Sequence, residues 1–520
     1  MPKSPKPTAP KSQKPRAERK GQPRLIPDPA STINGGATSK SQLSSLIKSA
    51  RDIMRKDAGL NGDLDRLPQL SWVLFLKCFD DLEQRREAEA IMAGETYKPV
   101  IPKGYRWRDW AADPNRGRTG PDLIEFVNND LLPKLRSING SDERQVIAAV
   151  FGETYNRMLS GYLLRDVVNL MGGVNFNSSD DIHTLSHLYE SMLKEMRDAA
   201  GDSGEFYTPR PVVRFIVDRV APKIGERVLD PAAGTGGFLV EAYEFLQKQQ
   251  RTAADRETLQ TRTLHGVEKK PMPYLLGMMN LLLHGLERPN LRRDNALKVP
   301  LREIGDKDRF DVIVTNSSFG GEEEKGIQAN FPEATRTSET ALLFLQFIMR
   351  SLKPGGRCGM VVPNGTLFGD GVAAKVKKQL LEEFNLHTIV RLPNGVFAPY
   401  TSIPTNLLFF DRPGPTTSVW YYELPLPEGR KNYTKTAPLQ DAEFDECRAL
   451  WANREAGSRS WLVAAMDVAA SNYNLDIKNP NRAENYEHMP PEKLAADIAA
   501  KEQRIAEIMV EITEALKVGQ

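Results

Sequence analysis

The sequence predicts a doubly wound α/β sheet flanked by two helical regions, and three observations carry that prediction. Arg227-Val228-Leu229-Asp230 is a short apolar run closed by an acid, and the turn Pro231-Ala232-Ala233-Gly234-Thr235-Gly236-Gly237 hands it to a helix opening near Phe238. Leu264-His265-Gly266-Val267-Glu268 and Phe310-Asp311-Val312-Ile313-Val314-Thr315 repeat the strand pattern, each ending where such a sheet opens its ligand crevice. Before residue 199 and after residue 490 the apolar spacing is helical instead.

The first 24 residues set Lys3, Lys6, Lys11, Lys14, Arg16, Arg19, Lys20 and Arg24 against Glu18 alone. Rich in Pro and Ser and nearly without apolar spacing, residues 1–40 are expected to be a disordered basic tail, either solvated or touching nucleic-acid phosphates. Residues 41–199 then read as a helical domain. Leu43, Leu46, Ile47, Ala50, Ile53 and Met54 share one helix face, and Leu70-Ser71-Trp72-Val73-Leu74-Phe75-Leu76 is strongly apolar. Inside this domain Lys103-Gly104-Tyr105-Arg106-Trp107-Arg108 mixes basic and aromatic side chains, which suits phosphates and stacked bases, although an ordinary exposed loop is the simpler reading.

Beyond the third strand, residues 340–352 read as a helix and Leu352-Lys353-Pro354-Gly355-Gly356-Arg357 as a turn into the strand Cys358-Gly359-Met360-Val361-Val362. Residues 387–392 and 405–411 supply the last strands. The loop Asn394-Gly395-Val396-Phe397 between them offers Phe397 as a core ring or a second stacking face. These elements place the α/β domain at residues 200–425 and a C-terminal region at 426–520. That region ends in a helix where Ile498, Ile505 and Ile512 recur every seventh residue and Leu494 and Ile508 fill the seam, interrupted by Lys501 and Ala515. Such a stripe packs on its own domain or on a partner helix.

Composition narrows the class. With 520 residues, 40% hydrophobic and 27% charged, the chain has room for several domains and a sizeable core. A net charge of +2 gives no general attraction to nucleic acid. Cys78, Cys358 and Cys447 show neither disulfide nor metal spacing, and His265 and His284 have no metal company, so both histidines read as structural. No secretory segment or membrane-length apolar run is visible, and a soluble cytoplasmic protein is expected.

The glycine turn is a cofactor signal only in context. The dinucleotide pattern G-x-G-x-x-G needs a third glycine where Leu239 stands, which weakens a nicotinamide reading. Missing side chains at Gly234, Gly236 and Gly237 let a ligand approach backbone N–H groups at a helix N-terminus. Glu268, at the end of the second strand, can accept from both hydroxyls of a ribose.

Two further blocks sharpen this. Gly204-Glu205-Phe206-Tyr207-Thr208-Pro209 lies upstream, and Arg293-Asp294-Asn295-Ala296-Leu297 precedes Asn316-Ser317-Ser318-Phe319. In this order the blocks resemble the class I amino-methyltransferases of DNA. From about Leu43 to its end the chain resembles the modification (M) subunits of type I restriction-modification systems, adenine-N6 DNA methyltransferases that use S-adenosylmethionine.

The resemblance implies a class I methyltransferase fold and a cofactor site made of Gly204, Glu205, Phe206, Tyr207, Thr208, Pro209, Asp230, Ala233, Gly234, Thr235, Gly236, Gly237, Glu268, Asp294 and Asn295. Tyr207 and Thr208 would serve the methionine carboxylate. Thr208 also reads as a cap for the helix that follows it, and Asp294 reads as an acceptor for the cofactor's adenine amine or as a turn residue. It implies as partners double-stranded DNA, a specificity (S) subunit and a restriction (R) subunit, with two copies of this chain per S subunit. No metal is implied.

In the catalytic block the family's Asn-Pro-Pro-Phe is here Asn316-Ser317-Ser318-Phe319. The chemistry needs a ring to stack an extruded adenine and two acceptors, a side-chain amide oxygen and a backbone carbonyl, for its exocyclic amine. Asn316, the carbonyl of Ser317 and Phe319 supply them, without the fixed φ of two prolines. Two readings stay open: a working adenine-N6 methyltransferase whose serines hold the loop by their own hydroxyls, and a cofactor-binding structural subunit with an impaired loop. Cytosine-N4 or a protein glutamine amide is a weaker substrate reading, because the same loop serves any planar amine.

Overall fold

The computed structural model describes residues 40–174, 208–317, 320–398, 401, 403–434, 436–481 and 491–518. The basic tail therefore lies outside the described residues. The chain divides into two compact units, Met1–Asp202 with Leu275–Pro289, and Ser203–Tyr274 with Asn290–Gln520.

The described part of the first unit is helical, as its periodicity predicts. Ile47, Ala50 and Met54 of the helix Lys40–Met54 are buried, and the helix Asp63–Met92 buries Trp72, Val73, Leu74, Phe75 and Leu76 on every side. A helical stretch apolar all round, as at residues 72–76, belongs in a core. Arg86 ties it to Glu143 at 2.6 Å, and Arg288 of the second segment reaches Asp142 at 3.0 Å. The aromatic and basic stretch at 103–108 is mostly scaffold. Trp107 is buried against Trp110, and Arg108 is held by Asp80 at 2.9 Å and Glu87 at 2.7 Å. Those rings and that guanidinium are thus already engaged, which removes most of the nucleic-acid reading of this loop.

The second unit is built on one nine-stranded sheet, and we number its strands in chain order: β1 Val228–Asp230, β2 Leu264–Glu268, β3 Asn290–Arg293, β4 Phe310–Asn316, β5 Leu352–Pro363, β6 Asn385–Arg391, β7 Thr405–Asp411, β8 Ser418–Glu423 and β9 Ser460–Ala464. Their order is β3-β2-β1-β4-β5-β7-β6-β8-β9. From β3 to β5 every pairing is parallel, while β7 runs antiparallel to both β5 and β6. This is the mixed, doubly wound sheet expected, but residues 405–411 are not its last strand: β8 and β9 follow and extend the sheet beyond β6. The strand predicted from Cys358 starts earlier, at Leu352. Phe310 pairs Leu352 and Val312 pairs Arg357, so the expected turn is a bulge carried within the strand.

Helices bury their apolar stripes on this sheet. The helix Arg210–Val220 buries Val212, Val213, Phe215, Ile216, Val217 and Val220, with Phe215 stacked on Phe444 at 4.3 Å between ring centres. Each such side chain contributes about 1.5–3 kcal/mol on burial, against at most about 1 kcal/mol for a half-exposed ion pair such as Arg214 with Glu241. Packing therefore holds the helix in place. The stretch 473–480, which has no evident chemistry in the sequence, is also structural. Leu475 is buried, its N–H donates to the carbonyl of Leu367 at 2.8 Å, and Arg391 holds Asp476 at 2.6 Å.

Cys78, Cys358 and Cys447 are buried and unpaired. His265 Nε2 donates to the carbonyl of Arg262 at 2.9 Å and the ring packs on Phe310, and burial pushes its pKa down, in keeping with a structural role. Phe397 is buried, which favours the core ring over a second stacking face. Among the described residues no helix is long and apolar enough to cross a membrane.

Candidate active site

Four parallel strands end on one edge of the sheet: β1 at Asp230, β2 at Glu268, β3 at Arg293 and β4 at Asn316. The order reverses beside β1, which lies between β2 and β4. A ligand crevice opens at such a reversal.

The glycine loop rises from β1 at this point. Gly234 and Gly236 hold φ of +52° and +77°, left-handed values that side-chain-bearing residues adopt only at a cost. Gly236 is the N-cap of the helix Gly237–Gln247 and no side chain caps it, so the first turn presents backbone donors to a ligand. The loop is pinned from behind. Ala233 donates to the carbonyl of Val267 at 2.9 Å and Gly236 to that of Ala233 at 2.7 Å. Thr235 is buried within it.

Glu268 is nearly buried, and each of its oxygens accepts a backbone N–H: Oε2 from Gly234 at 2.8 Å and Oε1 from Lys270 at 2.7 Å. These two bonds fix the carboxylate at the end of β2, beside the glycine loop. Asp230 looks inward. Its Oδ1 accepts from the Thr315 hydroxyl at 2.8 Å and from the Ala232 N–H at 3.1 Å, tying the loop to β4. Burial, helped by nearby Glu268, pushes its pKa up to about 7 despite those bonds.

Asp294 and Asn295 separate in role. Asp294 is exposed, with its Oδ1 accepting from the Asn295 N–H at 2.9 Å and lying 3.5 Å from Lys298. Asn295 caps the 3-10 turn Ala296–Lys298 through a bond from Leu297 at 2.9 Å, and its Nδ2 reaches Glu323 at 3.3 Å. The edge so formed has backbone donors at a bare helix start, an acid beside them and an exposed acid one strand further. It fits a nucleoside with a charged tail.

Asn316 closes β4. Its Nδ2 donates to the hydroxyl of Thr208 at 2.9 Å, while its Oδ1 is buried with no partner among the described residues. This corrects the reading of Thr208 as a helix cap: the N-cap is Pro209, without a side-chain bond, and the hydroxyl turns to Asn316 instead. Ser317 is buried and its hydroxyl likewise has no partner among the described residues, so among them no bond from that hydroxyl holds the loop. Gly204, Glu205, Phe206, Tyr207, Ser318 and Phe319 lie outside the described residues.

Three residues the sequence did not single out belong to this neighbourhood. Thr315 braces Asp230, and its only sequence signal was its place before Asn316. Arg210 reaches the carbonyl of Gly237 at 3.3 Å, linking the helix after Thr208 to the glycine-loop helix. Glu323, in the segment after the catalytic block, meets Lys269 at 3.2 Å as well as Asn295. Both are long-range pairings with no local motif.

Residues 180–489 match the N-6 DNA methylase family and residues 43–171 match the HsdM N-terminal domain. Over 487 residues the chain is 47% identical to the type I restriction enzyme EcoEI methylase subunit of Escherichia coli, covering 91% of this chain and 97% of that protein. The chain belongs to the N-6 DNA methylase family.

Solved structures agree with this. A modification subunit assigned to a type I restriction enzyme of Vibrio vulnificus YJ016 superposes with a TM-score of 0.82 at 58% identity, covering 87% of this chain and 99% of that one. A chain from a structure of type I restriction-modification assembly gives 0.70 at 44% identity, covering 93% and 100%. In this N-6 DNA methylase the family match ends at residue 489, just before the helix Pro491–Val518. That helix exposes Ile498, Ile505, Ile508, Met509 and Val510, while the side chains of Leu494 and Ile512 lie outside the described residues.

Proposed function

We propose that this chain is the methyl-transferring subunit of a type I restriction-modification complex, acting on an adenine turned out of double-stranded DNA. The observation that carries the reading is the Asn316 amide oxygen, a buried acceptor without a partner among the described residues, at the end of β4 beside the cofactor crevice.

S-adenosylmethionine, when bound, supplies a methyl group made electrophilic by its sulfonium sulfur. Gly234, Gly236 and Gly237 would receive it on bare backbone, Glu268 would accept from its ribose, and Asp294 would take its adenine amine. Ala233, Thr235, Asp230 and Asn295 would shape that edge, and Gly204, Glu205, Phe206, Tyr207, Pro209 and the backbone of Thr208 would close the methionine end, the Thr208 hydroxyl being turned to Asn316. Asn316 Oδ1 and the carbonyl of Ser317 would accept the two amine hydrogens of the target base, and Phe319 would stack on its ring. Held so, the amine nitrogen turns its lone pair toward the methyl carbon. The chemistry the cofactor would supply there is direct methyl transfer to that nitrogen, which would leave one amine proton to be lost.

The reading as an impaired structural subunit is not favoured. Likeness to methylase subunits runs nearly the whole chain, and Ser317 and Ser318 leave both acceptors in the sequence. We further propose an S subunit, an R subunit and DNA as partners, with two copies of this chain per S subunit. The exposed apolar face of Pro491–Val518 would meet a partner helix. Residues 41–199 would flank the DNA and 200–425 would hold the reaction. The test is to incubate the chain and its S subunit with unmethylated mixed-sequence DNA and digest the product for mass spectrometry. N6-methyladenine supports the reading; N4-methylcytosine or no methylated base overturns it.

A further inference from the structure

We propose that Thr208 is a positioning residue that fixes which end of the Asn316 amide faces the target base; this rests on the adenine reading above. An amide has a donor end and an acceptor end of nearly the same shape, and only the acceptor end can meet an exocyclic amine. Turned the other way, Asn316 would set N–H against N–H.

Thr208 supplies the bias. Its Oγ1 accepts from Asn316 Nδ2 at 2.9 Å, and this engages the donor end while Oδ1 stays buried and unpartnered among the described residues. A hydroxyl can pair with either end of an amide, so position matters as well as chemistry. Thr208 is held firmly: Pro209 after it starts the helix Arg210–Val220, accepting from Val212 at 2.9 Å and Val213 at 3.1 Å, and that helix is anchored by its buried face. Asn316 is equally fixed as the last residue of β4, paired with Val361 of β5. Two rigid backbones therefore set the gap that one hydrogen bond spans. In the reversed orientation the amide oxygen would occupy the hydroxyl contact, and the pocket would lose its acceptor.

The test compares Thr208→Val, of the same shape but without the hydroxyl, with Thr208→Ser, which keeps it. Each is made in the full chain assembled with its S subunit, and kcat, KM for DNA and the Kd for S-adenosylmethionine are measured. Thr208→Val should lower kcat by about 10- to 100-fold, the scale of a misplaced catalytic group. Its cofactor Kd should stay within about twofold and Thr208→Ser should recover most of the loss. Unchanged turnover in Thr208→Val, or a loss seen wholly as weaker cofactor binding, overturns the proposal. A neutron structure of Thr208→Val, in which the deuterated amide nitrogen is told apart from the oxygen, gives a readout that needs no activity: Asn316 should be turned or split between two orientations, and an unmoved amide overturns the proposal. If the unaltered complex transfers no methyl to adenine, that result counts against the function, and the variant structure alone decides the role of Thr208.

Discussion

Glu268, at the end of β2, accepts the backbone N–H of Gly234 at 2.8 Å, so one carboxylate both shapes the glycine loop and faces the crevice it bounds. Its other oxygen holds the N–H of Lys270 at 2.7 Å. Glu268→Gln must turn an NH2 toward one of those two donors. We expect a stability loss of about 1–3 kcal/mol, the cost of a buried group left unpaired. S-adenosylmethionine should also bind at least about tenfold more weakly by calorimetry, a loss of about 1.4 kcal/mol. Asp294→Ala, at an exposed residue whose side chain makes only local bonds, should leave stability unchanged and weaken the cofactor less. Equal cofactor affinity in Glu268→Gln and the parent would remove Glu268 from the site.

The raised pKa of Asp230 makes a prediction with a definite sign. Its unfolded value is about 3.9 and its folded value about 7, so between them the folded state holds a proton the unfolded chain has released. The stability this gives is full below about pH 4, shrinks as pH rises and is gone above about 7, a change on the order of a few kcal/mol. Asp230→Asn removes the titration. The parent's melting temperature minus the variant's should therefore fall from pH 5 to pH 8, and a flat difference would show that Asp230 does not titrate there.

Much of this was legible in the sequence, for physical reasons that differ by element. The glycine turn was visible because positive φ is needed at Gly234 and Gly236, and three of the four strands that end on the crevice because they are apolar runs ending in polar residues. β3, Asn290–Arg293, was missed as a strand because half of it is exposed and it carries two arginines. The bulge that starts β5 at Leu352 looks like a turn in the sequence, since Pro354, Gly355 and Gly356 are turn residues and only the pairing with Phe310 reveals the strand. Thr208 reads as a cap from its place before Pro209 and Arg210. Its bond to Asn316 joins residues 108 positions apart, and no local pattern encodes that contact.

The C-terminal helix yields a separable prediction. Its apolar residues from Ile498 to Val510 are exposed, so removing residues 491–520 should leave the melting temperature of the rest within about 2 °C and cofactor affinity unchanged. Co-purification with an S subunit should be lost. Full retention of the S subunit by the shortened chain would mean that the helix is not the dock.

The central claim is that Asn316 accepts the target amine in a loop that works with serines at 317 and 318. Its most direct test is transfer of radiolabelled methyl to DNA by the S-subunit complex, with the parent, Asn316→Ala and the double variant Ser317→Pro, Ser318→Pro side by side. The account predicts transfer by the parent, a modest rise with the prolines, and in Asn316→Ala a fall of at least about a hundredfold with cofactor affinity nearly unchanged. Transfer by the proline variant alone, with the parent at background although cofactor and DNA both bind, would contradict it.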